Sequence, residues 1–366
     1  MVRTGLFAVL SCILCANAAT AQATNIGEMQ KRAIGFLTRT QEADGSWTKS
    51  ELVGVTGLIT TSLLRSGLSP QDPVVANGLK NLLSHSQPSG GFYTNDSLHR
   101  NYETCITVLA LSEANADGRY DDHIKKAEMF LRGLQWDKGE GIESSDPAWG
   151  GGGYGSHQRP DMSNTQYLIE ALRAAGVKED DEAMLNIKIF VSRTQNLETS
   201  ANDTKFAGLI NDGGFYYTPA AGGDSKAGMT ENGGLRSYGS MTYAGLKSLI
   251  YAGLDRDDER VKAAVSWIRK NYTLTENPGM GKQGLYYYFH TFGKTMEVIG
   301  EQEFVDAAGN KHNWRAELQE RLAGLQQPNG SWRNPADRWY EGDPNLVTAY
   351  SLMALSYCGS KKSSEK

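Results

Sequence analysis

The chain has 366 residues, a formal net charge of −5 at pH 7 and 41 glycines. A chain of this length can hold one large domain or two smaller ones, and its glycine content is above the roughly 7% that is usual for a soluble protein. Because the charge is negative and no basic run stands out, we expect no nucleic-acid partner.

The first 23 residues have the pattern of a secretory signal peptide. Arg3 precedes an apolar stretch over residues 6–16, and two Ala-x-Ala sites end at Ala21 and Ala23. We therefore expect cleavage after one of these alanines and export of the mature chain, to the periplasm or as a secreted protein. Acylation of Cys12 is the alternative route of maturation. No later segment reaches about 18 consecutive apolar residues, so the sequence predicts no transmembrane segment.

Helical hairpins follow one another along the mature chain. Apolar residues recur at helical spacing, and no stretch alternates at period two for long enough to suggest a sheet. The pattern predicts first helices near 28–40, 72–86, 121–135, 180–195, 257–270 and 314–326, and second helices near 52–67, 101–115, 162–175, 239–253, 287–300 and 344–357. The predicted class is all-α, with a single domain over 24–358 and a disordered tail over 359–366.

Helix ends and cysteines fit this organisation. Asp121 and Asp180 stand where N-caps belong, and Asp343-Pro344 has the pattern of an N-cap followed by proline at the first helical position. After cleavage the chain keeps Cys105 and Cys358, both within apolar helical patterns. We therefore predict buried free thiols at both positions, with a disulfide between them as the alternative.

A glycine-aromatic phrase lies between the two helices of each hairpin. The six phrases are Gly45-Ser46-Trp47, Gly90-Gly91-Phe92, Gly152-Gly153-Tyr154, Gly213-Gly214-Phe215, Gly284-Leu285-Tyr286 and Gly330-Ser331-Trp332; glutamine precedes five of them, as Gln41, Gln87, Gln135, Gln195 and Gln326-Gln327. Repetition at this period indicates units that bury their apolar faces against neighbouring units. We interpret each glutamine as a donor to free groups at a helix end, with the aromatic ring packed across the corner.

Long connections run from the first to the second helix of a hairpin, notably over residues 136–160 and 196–238. Loops of this length are uncommon unless they are functional or disordered. Because every hairpin points the same way, the long loops share one rim, which we interpret as the functional face; tolerated insertions are the alternative. Helix N-termini favour anions, and His157, Arg159, Arg236 and Lys282 lie in these loops.

The repeats resemble those of a known family. The phrases over residues 36–47 and 325–332 resemble the glutamine-tryptophan repeats of squalene and oxidosqualene cyclases, and the double-glycine phrases are similar to those of protein prenyltransferase β subunits. The resemblance spans nearly all of the mature chain. It implies an α/α toroid of six helical hairpins, in which an inner ring of second helices surrounds a central cavity and first helices form the outer ring. It also implies structural roles for Gln41, Trp47, Gln87, Phe92, Phe215, Gln326 and Trp332.

The catalytic motifs of the family are incomplete. Squalene cyclases protonate an alkene with an Asp-x-Asp-Asp-Thr motif whose middle aspartate is the acid, and Asp161-Met162-Ser163-Asn164-Thr165 has Ser163 in that place. A hydroxyl is too weak an acid for this step, so Asp161 is either a catalytic residue or an N-cap. Of the prenyltransferase zinc ligands only His290 has a counterpart, so we expect neither a metal nor a cofactor.

Polar residues recur at helical spacing on three second helices. The stripes are Gln166, Glu170 and Arg173; Ser240, Tyr243, Lys247 and Tyr251; and Tyr286, His290, Lys294 and Glu297. Because an inner helix meets water only through the lumen or at its ends, these stripes suggest a polar lumen; contact with neighbouring loops is the alternative. The candidates are His290, Asp161 and Tyr243 as catalytic residues and Arg236, Tyr286, Lys294, Gln166 and Glu170 as ligand-binding residues.

Three functions are compatible with this sequence. The first is a cyclase- and prenyltransferase-like repeat protein that binds an isoprenoid or another amphiphile in its cavity. The second is a carbohydrate-active hydrolase or lyase, which needs two carboxylates about 6.5–9.5 Å apart for inversion, with Asp161, Glu170, Glu341 and Asp343 as candidates, or a Tyr243–His290 pair for elimination. The third is a protein-interaction scaffold. The Gly-Cys-Gly-Glu-Gln signature of complement-type thioester domains is absent, which excludes thioester chemistry.

Overall fold

The computed structural model describes residues 26–155 and 158–359. The predicted signal peptide and residues 360–366 of the predicted tail lie outside these ranges. The helices are α1 (Ile26–Arg39), α2 (Val53–Arg65), α3 (Pro73–Ser84), α4 (Arg100–Glu113), α5 (Asp121–Arg132), α6 (Met162–Ala174), α7 (Glu182–Arg193), α8 (Ala207–Ile210), α9 (Gly239–Tyr251), α10 (Glu259–Lys270), α11 (Leu285–Ile299), α12 (Trp314–Leu325) and α13 (Pro344–Ser356). Two short antiparallel strands, β1 (Phe304–Val305) and β2 (Lys311–His312), precede α12.

The all-α class is confirmed, and each of the twelve predicted helices is present with its ends shifted by at most a few residues. Sequence patterning missed the short helix α8, the strand pair and two 3-10 helices, Lys138–Glu140 and Arg338–Tyr340. Within the described ranges no helix is both long and apolar enough to cross a membrane. Cys105 and Cys358 are buried free thiols, as predicted.

The N-cap predictions are right at Asp343 and wrong at two other aspartates. The Asp343 carboxylate accepts from the amides of Asn345 and Leu346. The cap of α7 is Asp181, not Asp180, because Asp181 accepts from the amide of Ala183. Asp121 is the first residue inside α5, and its carboxylate accepts instead from the side chain of Asn115 at 2.7 Å. Where two aspartates are adjacent, the sequence does not show which of them is the N-cap, because the first residue of the helix is not known.

The six second helices contact one another in chain order. Helix α2 packs against α4, α4 against α6, α6 against α9, α9 against α11 and α11 against α13, and α13 packs back against α2. These helices are buried around most of their circumference, whereas first helices such as α5 and α12 bury only one face. A helix that is apolar all round is stable only inside a protein, so the second helices form the interior.

Four glutamine side chains join consecutive hairpins. Gln41 donates to the carbonyl of Gly45 at 3.1 Å and to that of Val74, at the start of α3, at 2.9 Å. The amides of Gln135, Gln195 and Gln326 make the same pair of bonds, to Gly150 and Ala183, Gly213 and Arg260, and Gly330 and Met29, respectively. The second acceptor is thus a first-turn carbonyl of another hairpin, not a free group at the end of the glutamine's own helix. Gln87 departs from this pattern and donates within its own corner, to Tyr93, at 2.7 Å.

The glycine of each such corner touches the backbone of a first helix. Gly330 has φ +95°, and a Cβ there would lie 2.4 Å from the carbonyl oxygen of Arg32 in α1. Two predicted phrases are wrong. In the third hairpin the corner is Gly150-Gly151-Gly152, since Gln135 donates to Gly150, two residues before the predicted phrase. In the fifth hairpin Gly284 is the N-cap residue of α11 instead of a corner.

We expect Gln326→Ala to lower the free energy of unfolding by about 1–3 kcal/mol, because two carbonyls lose the same donor. Urea unfolding followed by circular dichroism measures this loss. The control is Gln302→Ala, at an exposed glutamine, which should leave the midpoint unchanged. Equal midpoints for the two variants would show that this amide does not hold the corner.

Candidate functional site

A cavity of about 370 Å³ lies where the N-terminal parts of the six second helices meet. Each of these helices contributes to its wall, and so do loops of the rim. The wall includes eight tyrosines and one tryptophan. Aromatic side chains present large apolar surfaces with a polar hydroxyl or N–H at one end, so the cavity suits a largely apolar guest.

The residues at its mouth have an unusual backbone. Trp339 and Tyr340 are 45% and 55% exposed, and their φ angles are +59° and +66°. Positive φ is uncommon for residues other than glycine. The Trp339 ring lies against Gly284, at the start of α11, and Arg338 donates to the side chain of Gln283 at 2.6 Å. The segment 338–340 is therefore fastened to the N-terminus of α11 and forms one edge of the cavity.

Glu341 caps α11 from a different part of the chain. Its Oε1 accepts from the amides of Tyr286 at 3.0 Å and Tyr287 at 2.7 Å, and its Oε2 accepts from Asn334 Nδ2 at 2.6 Å. Gly284, the residue in the N-cap position, has no side chain to supply these bonds. Burial raises the pKa of Glu341 to about 7, although the hydrogen bonds act in the opposite direction.

Glu103 is the second carboxyl group of the wall, and it has far fewer partners. It lies in the first turn of α4, is 5% exposed, and accepts from Ser97 Oγ at 2.7 Å. Within the described parts of the chain no lysine, arginine or histidine forms an ion pair with it. Burial raises its pKa to about 7. Sequence reasoning missed Glu103, because an acidic residue in the first turn of a helix is ordinary; the neighbouring Tyr102 was the only available signal.

Three predicted ligand-binding residues come together below the cavity. Glu170 accepts from the ammonium groups of both Lys247 and Lys294, and Lys247 also donates to Gln166. Gln166 in turn donates to the hydroxyl of Tyr287, a cavity residue, at 2.7 Å. These stripe residues thus face inward, but they bond one another as a buried ion cluster instead of lining the cavity. Of the stripe residues, Ser240 does line the cavity, and Arg173 is exposed.

The cluster has one carboxylate for two ammonium groups. Burial acts to raise the pKa of Glu170, but Lys247 and Lys294 together hold it well below its usual range. Burial lowers the pKa of Lys294 to about 7, because the shared Glu170 compensates for it only in part. The cluster therefore fills the space between α6, α9 and α11 and depends on Glu170 for its charge balance.

The other predicted site residues do not line the cavity. His290 is 2% exposed, and its ring stacks on that of Tyr350, a wall residue, with 6.0 Å between the centroids. Burial holds its pKa well below the usual value, so the imidazole is neutral. Tyr243 packs against Tyr288 at 5.4 Å, Tyr286 packs against Phe289 at 5.6 Å, and Arg236 is exposed and donates to the carbonyl of Met229.

Asp161 caps α6 beside the cavity. Its carboxylate accepts from the amide and the side chain of Asn164, at 2.9 and 2.8 Å. It lines a depression next to the cavity with Arg159 and Lys226, both of which donate to Asp224, at 3.0 and 2.5 Å. Ser163 does line the cavity, where its hydroxyl lies 3.2 Å from that of Tyr287.

The rim cations are not gathered at one anion site. Arg159 is paired with Asp224, and Lys282 is exposed and donates to the carbonyl of Thr275. His157 falls outside the described residues. No group of three or more His, Cys, Asp and Glu side chains in residues 26–155 and 158–359 is arranged to hold a metal ion.

We expect Glu170→Gln to destabilise the protein by about 3–5 kcal/mol, because two buried ammonium groups lose their counter-ion. Chemical unfolding measures this loss. The triple variant Glu170→Gln, Lys247→Met, Lys294→Met should recover most of the stability. A Glu170→Gln variant as stable as the unmodified chain would show that the cluster is not charge-balanced in this way.

We expect Glu103 to make stability fall as pH rises from about 4.5 to about 7, an effect that the lowered pKa of His290 opposes below about 6.5. The folded-state pKa of Glu103 is raised from 4.5 to about 7, so in this window the folded chain binds a proton that the unfolded chain releases. At about 1.4 kcal/mol per pH unit, Glu103 contributes about 3 kcal/mol of this loss, and Glu341 acts in the same direction. Glu103→Gln should flatten the profile measured by urea unfolding at pH 5, 6, 7 and 8. A variant profile parallel to that of the unmodified chain would contradict the raised pKa.

Comparison with solved structures shows what this architecture is similar to. The apo structure of the type II terpene cyclase MstE from Scytonema matches with a TM-score of 0.55 and 14% identity, over 90% of this chain and 97% of that one. Structures of MstE variants with the product merosterolic acid A and with the substrate geranylgeranyl dihydroxybenzoate match with the same TM-score and 15% identity, over 91% of this chain and 96% of those. No family model and no curated protein matches the sequence. The chain has a terpenoid cyclase-like, all-α fold.

Proposed function

We propose that this protein is a six-hairpin α/α toroid that binds an isoprenoid or another amphiphile in the aromatic cavity. The observation that carries the proposal is the wall itself, eight tyrosines and Trp339 around about 370 Å³ at the N-terminal ends of six helices. The cyclic order of helix contacts supports the closed ring. The likeness to MstE, whose structures include a geranylgeranyl substrate, supports the class of guest.

The size and chemistry of the cavity fit an amphiphile. Ligand sites usually measure about 300–1,000 Å³ and combine apolar walls with a few polar groups. Each CH₂ group transferred from water to such a wall contributes about 0.8 kcal/mol. The hydroxyls of the wall tyrosines, Glu103 and the rim charges can orient the polar end of the guest.

Binding, and not alkene protonation by the family motif, is the activity that these residues support. Ser163 occupies the position of the acid and is a hydroxyl, and the Asp161 carboxylate is held by Asn164. The carboxylates considered for a hydrolase also have structural partners. Asp161, Glu341 and Asp343 cap helices, and Glu170 balances two lysines.

We further propose that the chain acts after export, as the mature form beginning at residue 24. The basis is the pattern of the first 23 residues.

The test is thermal shift with two ligand panels, polyprenyl alcohols with triterpenes in one and neutral with acidic oligosaccharides in the other. An isoprenoid at a hundred times its Kd adds about 2.7 kcal/mol and should raise Tm by several degrees. Val55→Trp should abolish this shift, because it places an indole on the cavity wall. A shift with sugars alone would overturn the proposal, and no shift in either panel would favour a scaffold.

The control is Val265→Trp on α10. Val265 is a half-buried valine like Val55 but lies away from the cavity. It should keep the ligand-induced shift, so that loss of binding in Val55→Trp can be separated from a general loss of stability.

A further inference from the structure

Glu103 differs from the other buried glutamates of this chain. Glu170 is paired with two lysines, Glu128 with Lys125 and Arg132, and Glu341 with backbone amides. Glu103 is as buried as these, but the described residues give its carboxyl group one hydrogen bond, from Ser97. A buried carboxylate is costly unless a charge or several donors compensate it. The missing partner can therefore come from the ligand.

We propose that the ligand of the cavity is an amphiphile with a positively charged nitrogen, a quaternary or protonated amine, and that Glu103 is its counter-ion. This inference rests on the proposed function and names the class of its ligand.

Tyrosines that line the same cavity as Glu103 favour the same charge. Tyr102 lies at steep angles to two other wall tyrosines, 82° to Tyr167 with 5.3 Å between centroids and 65° to Tyr154 with 6.4 Å. Tyrosine rings attract cations to their faces, and boxes of such rings are a known means of binding quaternary ammonium groups. Both the wall and its carboxyl group therefore select against an anionic head group.

The other charged groups of the wall bond to other residues and do not neutralise Glu103. Lys226 is the wall lysine within the described residues, and it donates to Asp224. Glu341 is held by the N-terminus of α11. Burial raises the pKa of the neighbouring Tyr102, Tyr154, Tyr167 and Tyr350, so these hydroxyls stay neutral. His99, just before α4, lies with its ring edge-on to Tyr154 at 4.7 Å.

Binding of a cation should therefore depend on pH. Burial raises the pKa of Glu103 to about 7, and a bound cation stabilises the ionised form. The affinity of the cavity for a cationic ligand should rise as pH increases from about 5.5 to 8, and binding should release a proton from Glu103. A neutral ligand has no such linkage, and its affinity should not change through Glu103.

The experiment is isothermal titration calorimetry of the full chain with farnesyl trimethylammonium, farnesol and farnesoic acid at pH 5.5 and 8. At pH 8 the ammonium compound should bind at least about tenfold tighter than farnesol, and at pH 5.5 this preference should shrink. Heats measured in buffers of different ionisation enthalpy should show proton release with the ammonium compound alone. Glu103→Gln should weaken binding of the ammonium compound more than binding of farnesol, so that the preference disappears, and it should remove the proton release.

Two further variants keep the test decisive. Ser97→Ala removes the hydrogen bond that favours the Glu103 anion, so the preference for ammonium should appear only at higher pH. Glu320→Gln, at an exposed position on α12, should behave as the unmodified chain.

Each contrary outcome has its own meaning. Farnesol binding with no preference for the ammonium compound, or a preference that survives Glu103→Gln, would overturn this inference and leave the proposed function standing. Tighter binding of farnesoic acid would do the same. If none of the three compounds binds, the proposed function fails as well.

Discussion

The structure depends on glutamine bonds that join four of the hairpins to another hairpin. A glutamine amide joins its own corner to the first turn of another hairpin, and a glycine in that corner lets the two backbones touch. The bond from Gln326 joins the last hairpin to the first, because its acceptor is the carbonyl of Met29 in α1. Repeats that contact only their neighbours in sequence would stack as an open array. The contact of α13 with α2 and the bond from Gln326 connect the last hairpin to the first, and the cavity lies among these second helices.

Bringing six helix N-termini together creates a second constraint. Each N-terminus has amides without partners inside its helix, and carboxylates supply several of the missing acceptors. Asp161, Asp343 and Glu341 serve in this way. Acidic residues are therefore common at the rim for structural reasons, and a carboxylate there is not by itself a sign of chemistry. Glu103 stands out because, among the residues that the structure describes, its carboxyl group accepts from Ser97 and from no helix-terminal amide.

Buried charged groups are compensated differently at the two ends of the interior. Below the cavity, Glu170, Lys247 and Lys294 neutralise one another within the protein. Buried charges of this kind are stable only as a set, since removal of one member leaves the others uncompensated. At the cavity the wall is aromatic, and Glu103 forms no ion pair with any residue in 26–155 or 158–359. The ion cluster fills its part of the interior, whereas the aromatic wall encloses a cavity of about 370 Å³.

The sequence by itself determined the helices and the repeat, because helical periodicity and corner glycines are local properties. It also identified Gln166, Glu170 and Lys294 as inward-facing, since spacing along one helix defines a face. It could not decide the corner within the glycine run 150–153, the cap between Asp180 and Asp181, or the partners of the inward-facing residues. Only the tertiary structure placed Tyr154 and Tyr167 in the same cavity wall as Glu103 and brought Trp339 from a distant loop to that cavity. Whether a buried polar group has a hydrogen-bond or ion-pair partner depends on side chains from other helices. The spacing of residues within one helix does not predict those side chains.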